Sequence, residues 1–277
     1  MSNLPDLISF DQISERYDAT RILPLELQDR VARGIMAAVG GRLGTRFVEP
    51  GVGTGRLALP LLRQGVEYVG VDISRQMLDR LREKLSAEPW LAGRIVLREA
   101  RAEALPLPDA SCDAAITAYV LHLLPDWRQA IDEMRRVVRP DGYYIHVVDY
   151  GGGLREAFGT EWDRLTSERG LVRAPRRGAT AEDVLQHLQL PRAALSVHHL
   201  ARWRVEESLG EVLRSYRERE TSKLWTLSDL DHSALMAGLE SWAQARFGSA
   251  ETVLAAEAGL NIAVIQLTPG ASNPDKK

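Results

Sequence analysis

The chain has 277 residues, 45% of them hydrophobic and 26% charged, with a formal net charge of −3. That length suits one generous domain, or one domain carrying a substantial insertion, and the charge gives no positive field for gathering nucleic acid or an anionic membrane surface. The single cysteine, Cys112, excludes an internal disulfide and a cysteine-based metal cluster, as suits a reducing cytoplasm.

The opening "MSNLPDLISFDQISERYD" carries acids and lacks the basic-then-apolar layout of a signal peptide. No apolar run nears the ~20 residues of a membrane span. "LPLELQDRVARGIMAAVG" (23–40) spaces Leu25, Val31, Ile35 and Val39 along one face and predicts a helix stopped at Gly40-Gly41. "RFVEP" reads as a short strand, and a glycine turn leads into the helical "RLALPLLRQG", where Pro60 lies deep for a first-turn proline. "VEYVGVD" (66–72) is a second strand, followed by the helix "SRQMLDRLREKLSA" with Ser74 as N-cap. "RIVLREA" and "CDAAITAYV" are strands three and four; "WRQAIDEMRRVVRP" is a helix closed by Pro140 and Gly142; "GYYIHVVDY" is strand five. Such alternation predicts a parallel sheet covered by helices on both faces, with ligands beyond the carboxyl ends of its strands.

After Tyr150 the rhythm breaks. The expected layout is a core with an N-terminal cap over 1–150, a helical insertion or lid over 151–195 that opens on the hinge Gly151–Gly153, a return to the sheet over 196–268, and a disordered tail over 269–277. Within the return, "LSVHHLARWRV" reads as a sixth strand, 208–247 as helix-rich, and "LNIAVIQLT" as the last strand.

The glycine turn sits in "FVEPGVGTGR". Glycines at 51, 53 and 55 permit positive φ and let a ligand approach the backbone. A dinucleotide site would read G-x-G-x-x-G; here the spacing is G-x-G-x-G behind Glu49, a carboxylate that would repel pyrophosphate and attract a cationic or amino-bearing ligand. Asp72 closes the second strand, 21 residues after Gly51, where an acid can accept from both hydroxyls of an unphosphorylated ribose.

With "VEPGVGTGR", "GVDIS", "AEALPLPDASCDAAITAYVLHLLPD" and "MRRVVRPDGYY" in place, the chain resembles the class I S-adenosylmethionine-dependent methyltransferases over roughly residues 12–150. Within them it is similar to the small-molecule group that includes the quinone-biosynthesis C-methyltransferases. The resemblance implies a doubly wound, Rossmann-like α/β fold with seven strands, the last antiparallel, and S-adenosyl-L-methionine as cofactor. By position it implies Glu49, Gly51 and Gly53 at the methionine and ribose end of the cofactor, Asp72 on the ribose hydroxyls, Ile73 and Met77 near adenine, and Ala118 and Tyr119 facing the methionine portion. The family's "GDAEALP" carries an Asp for the adenine amino group; this chain has "EARAEALP", with Arg101 in that slot. Arginine has no acceptor, which leaves the Ala102 backbone and stacking by Arg101. Upstream, "ERYDATR" resembles a segment that caps the cofactor, with Tyr17 bonding the methionine carboxylate and Arg21 pairing with it; the same text also fits a surface helix turn.

Methyl transfer from a sulfonium needs alignment and exclusion of water, and a base only where the acceptor must lose a proton. His122, just past strand four, and Asp149, closing strand five, are the candidate bases; a packing or capping histidine and a turn acid are equally good readings of them. His146 reads as a strand-core residue, and no zinc-ligand spacing is present, so no metal is expected. Trp162 with Arg169, Arg173, Arg176 and Arg177 suggests either a face for an acidic or planar acceptor, or for RNA, or a solvated basic loop. Trp203, Trp225 and Trp242 read as core or interface residues. The expected protein is a cytoplasmic methyltransferase acting on a small organic acceptor, with neither nucleic acid nor membrane as partner and its oligomeric state open. The alternatives are an RNA or tRNA methyltransferase using "RAPRR" and a protein that binds S-adenosylmethionine without transferring methyl.

Overall fold

The structure, a computed structural model, describes residues 23–151, 153–171, 179–220, 224–225 and 227–267, without the side chains of 149–151. Tyr17, Arg21, Gly152, Arg173, Arg176, Arg177 and the 269–277 tail lie outside the described residues.

Apolar residues recurring at helical spacing form α1 (Leu25–Ala38), which buries Val31, Ala32 and Ile35. The β-branched and small residues that follow make strands. β1 (Arg46–Pro50) pairs in parallel with β2 (Glu67–Asp72), and β2 with β3 (Ile95–Glu99). On its other side β1 pairs with β4 (Cys112–Ala118), and β4 with β5 (Val138–Gly151). With β6 (Leu195–Ser208) and β7 (Val253–Gln266) the order is β3-β2-β1-β4-β5-β7-β6, and the last strand is antiparallel. This is the doubly wound seven-stranded arrangement expected from the sequence.

The crossovers are set by local chemistry. α2 (Ala58–Arg63) begins two residues later than the sequence suggests, which puts Pro60 in its first turn, where a missing N–H costs nothing. Ser74 caps α3 (Arg75–Ala87), its Oγ accepting from the Met77 N–H at 3.1 Å. A short α4 (Pro89–Ala92) precedes β3. Asp126 caps α5 (Trp127–Val137), accepting from the N–H groups of Arg128 and Gln129. α5 ends at Val137, before the Pro140 and Gly142 expected to close it, because the chain passes straight into β5. There Cys112 pairs with Val138, and the register shifts before Ala114 pairs with Tyr143.

The chain divides into two compact units. Among the described residues the first comprises 23–148, 179–201 and 261–267 and holds β1 to β4 with their helices. One side of its sheet packs on a core that includes Val48, Val71, Ala115, Ile131, Met134, Tyr144 and Ile265, closed by Val184 and Leu185 of α7 (Ala181–His187). The second comprises, among the described residues, those within 149–171 and 202–260, with α6 (Leu154–Glu168), α8 (Leu209–Arg217) and α9 (Asp229–Phe247). Its core is aromatic. Trp162 is 2% exposed, its ring 5.2 Å from that of Tyr216 and 5.8 Å from that of His232. Trp162 is therefore a packing residue of a helical core and not a stacker for an acceptor or a base. Among the described residues no helix is long and apolar enough to cross a membrane.

Candidate functional site

β1 stops at Pro50 and the chain reverses at Gly51, whose φ is +76°. The N–H groups of Gly51 and Val52 donate to the Val71 carbonyl at 2.7 and 3.1 Å, tying the turn to β2. A Cβ at position 51 would stand 2.6 Å from Val120 Cγ2, so this close approach requires glycine. Gly53 differs. Its φ is +53°, yet a Cβ there would meet nothing within 4 Å, so this backbone faces open space.

Asp72 organises that opening. Its Oδ2 accepts from the Gly53 N–H at 2.8 Å and its Oδ1 from the Ser74 N–H at 2.8 Å. One carboxylate thus fixes the glycine turn and the start of α3, and its two oxygens have roughly four acceptor positions between them.

A cavity lies beyond these strand ends and opens to solvent. Its wall is formed by Gly51, Gly53, Asp72, Ile73, Met77, Ala100, Ala102, Glu103, Ala118, Tyr119, Val120, Leu123 and Leu124. Of the residues singled out from sequence, the structure therefore brings Gly51, Gly53, Asp72, Ile73, Met77, Ala102, Ala118 and Tyr119 onto one surface. Tyr119 has a φ of +57°, a left-handed conformation uncommon for a residue with a side chain, and the Arg56 guanidinium lies 5.0 Å from its ring centroid.

Other expected residues stand elsewhere. Glu49 is 3% exposed and off the cavity wall, its carboxyl accepting from the Tyr68 hydroxyl at 2.7 Å. Burial pushes its pKa from 4.5 up to about 8; the Asp72 charge adds to the rise, while the Tyr68 bond and Arg56 oppose it. At neutral pH the majority form is the neutral acid. The carboxyl expected at the methionine and ribose end of the cofactor is buried and hydrogen-bonded to Tyr68. His122 is half-buried in a 3₁₀ turn (Leu121–Leu123), off the wall that its neighbours Val120 and Leu123 line. Asp149 lies in β5 with its side chain outside the described residues. His146 Nδ1 lies 3.3 Å from Thr117 Oγ1 and 3.2 Å from the Tyr144 hydroxyl, and burial lowers its pKa to about 4.

Five wall residues were not anticipated: Ala100, Glu103, Val120, Leu123 and Leu124. Glu103 is 6% exposed, and its Oε1 accepts from Arg101 Nη2 at 3.3 Å. Its signal was its place in "RAEALP", two residues after the arginine that departs from the family pattern.

Residues 48–146 match the family model described as a methyltransferase domain. A ubiquinone/menaquinone biosynthesis C-methyltransferase UbiE from Geobacter sulfurreducens is 31% identical over 175 residues, covering 54% of this chain and 68% of that one. The chain belongs to the class I S-adenosylmethionine-dependent methyltransferases. A phosphatidylethanolamine N-methyltransferase from Cereibacter sphaeroides is 33% identical over 143 residues, 50% of this methyltransferase and 69% of that chain. The crystal structure of the YcgJ protein from Bacillus subtilis superposes with a TM-score of 0.55 at 18% identity, covering 85% of this chain and 98% of that one, and shares the fold.

The methyl donor of this methyltransferase is S-adenosyl-L-methionine. The cavity suits such a group on its own chemistry. Gly53 presents backbone with room before it, Asp72 presents acceptors, and Ile73, Met77 and Ala102 give an apolar stretch for a flat ring. Among the described residues no group of three or more His, Cys, Asp or Glu side chains is placed to hold a metal ion.

Proposed function

We propose that this methyltransferase transfers the donor's methyl group to a small organic acceptor bound at the β1–β4 end of the cavity. The observation that carries the reading is the wall itself, where the glycine turn, Asp72 and the Ala118–Tyr119 segment share one concave surface, the mostly apolar setting with a few polar groups that small-molecule sites use. S-adenosylmethionine supplies a methyl on a sulfonium, which an acceptor atom takes in line while the sulfur leaves as a thioether.

The chain's part is to bind and align. Asp72 accepts from the ribose hydroxyls while keeping its bonds to the Gly53 and Ser74 N–H groups. Gly51 and Gly53 let the ligand lie against the backbone. Ile73, Met77 and Ala102 flank the base. Ala118 and Tyr119 stand on the methionine side, with Tyr119 held by its left-handed backbone and by Arg56. Val120, Leu123 and Leu124 supply an apolar margin that excludes water from the displacement. We assign alignment as the main source of rate, because His122 stands off the wall. Burial of Trp162 removes the aromatic partner that an RNA-binding reading would use. A cytoplasmic location accords with a lone, buried Cys112.

The test is incubation of the protein with methyl-labelled S-adenosylmethionine and a metabolite extract. Label appearing in a small molecule supports the proposal. Donor consumption only in the presence of RNA, or none with any acceptor panel, contradicts it.

A further inference from the structure

The sheet ends on β6, the last strand in the order β3-β2-β1-β4-β5-β7-β6, so among the described residues no strand lies along its outer edge. An open edge offers a row of N–H and C=O groups to any chain that can pair with it, and proteins blunt such edges with short strands, proline, bulges or lysine. β3, at the opposite edge, is five residues long. β6 runs for 14 residues, "LSVHHLARWRVEES", without a proline, glycine or lysine. This edge is long and open to pairing.

Its charges say what pairs there. In the second unit, 202–208 of β6 alternates in exposure. Trp203, Val205 and Glu207 are half-buried, and Glu207 pairs with Arg155 of α6. Arg202, Arg204 and Glu206 stand on the other face, where the Arg204 side chain is 74% exposed and that of Glu206 59%. The Arg204–Glu206 pair, at 2.9 Å, runs along the strand and gives this face a positive half followed by a negative half. A charge order of that kind complements itself when run in reverse.

The register follows from the same residues. Two strands that continue one sheet keep their faces together only if the two-fold axis stands perpendicular to the sheet at a single residue position, since a one-residue slip turns every side chain over. An axis at Arg202, Arg204 or Glu206 sets that charge against its own copy, and an axis at Trp203 sets Arg202 against Arg204. An axis at Glu207 or Ser208 leaves no opposite charges facing. At Val205 each Arg204 stands across from Glu206 of the second copy, and no like charges meet.

We propose that β6 is a self-association surface of this methyltransferase, pairing antiparallel with β6 of a second copy about a two-fold axis at Val205. Such a contact is isologous and closes as a dimer. Main-chain hydrogen bonds supply the affinity, and the crossed Arg204–Glu206 pairs fix the register. The association is separate from methyl transfer and does not depend on the donor.

The experiment is sedimentation equilibrium on the full chain across micromolar concentrations. The unmodified protein should sediment as two chains. Arg204→Glu brings four carboxylates together and Glu206→Arg four guanidinium groups. Each should raise the dimer dissociation constant by at least about 10-fold, the scale of two cross-strand pairs turned from attractive to repulsive. An equimolar mixture of the two variants should regain the dimer, because each strand then meets its opposite. The doubly exchanged Arg204→Glu/Glu206→Arg chain should regain it as well, and serves where a single variant fails to fold. A monomeric unmodified protein would overturn the assignment and leave the edge to another segment of this chain or to a different protein. A dimer indifferent to Arg204→Glu would overturn it too, as would a mixture and a doubly exchanged chain that stay monomeric.

Discussion

Glu49→Gln isolates the buried acid beneath the glycine turn. In the folded protein Glu49 holds its proton up to about pH 8, because burial disfavours the charged form, against 4.5 ordinarily. Below about pH 4.5 both folded and unfolded chains carry the proton, and Glu49 adds no pH dependence. Between 4.5 and about 8 the unfolded chain releases the proton and the folded chain keeps it, so stability falls as pH rises; above about 8 the loss is complete. At about 1.4 kcal/mol per pH unit the ceiling is on the order of 5 kcal/mol, with roughly 3 kcal/mol already lost at pH 7 and under about 1 at pH 5. Glutamine keeps the acceptor for the Tyr68 hydroxyl and cannot ionise. The variant should therefore match the parent at pH 5 and exceed it by several kcal/mol at pH 9. Urea denaturation of both proteins at pH 5, 7 and 9 gives the comparison. A stability difference that stays constant from pH 5 to pH 9 would refute the claim that Glu49 is held neutral.

Gly51→Ala should destabilise the protein by roughly 1–3 kcal/mol and abolish measurable S-adenosylhomocysteine binding, since it forces a Cβ into Val120 at a φ of +76°; a stable variant with unchanged affinity would show that the turn tolerates a side chain. Trp162→Ala should cost about 3–5 kcal/mol in urea denaturation, as expected for an aromatic in the α6, α8 and α9 core. A loss below about 1 kcal/mol would mean that its burial matters little. In single-turnover transfer, His122→Ala and Asp149→Asn should each slow the chemical step by less than about 10-fold; a loss above about 100-fold with cofactor affinity intact would make that residue a general base.

Much of the fold was legible because its signals are local. Ser74 sits where a cap must, and the runs around Val48, Val69 and Ile116 have nowhere to go but a buried sheet. The end of α5 was misjudged because tertiary pairing of Cys112 with Val138 overrides the weak local stop at Pro140. At the site, the glycines and Asp72 were readable from spacing, since the turn needs positive φ and the strand end needs an acid. The burial of Glu49 was not legible, because spacing gives position without burial: Tyr68, on the next strand two residues from Glu49's register partner Gly70, donates to its carboxyl. Glu103, Leu123 and Leu124 reach the wall through loops after β3 and β4, whose paths no periodicity predicts. Trp162 joined an aromatic core assembled from segments some fifty to eighty residues away, so its neighbouring arginines suggested the wrong company.

The most direct test of the central claim is a calorimetric titration of the unmodified protein and Asp72→Ala with S-adenosylhomocysteine, with NAD as the control ligand. The account predicts that the unmodified protein binds S-adenosylhomocysteine and not NAD, and that the folded variant loses about 1.5–3 kcal/mol of binding with the acceptor for the ribose. Binding of NAD with none of the S-adenosyl ligand, or full affinity in a folded Asp72→Ala, would contradict it.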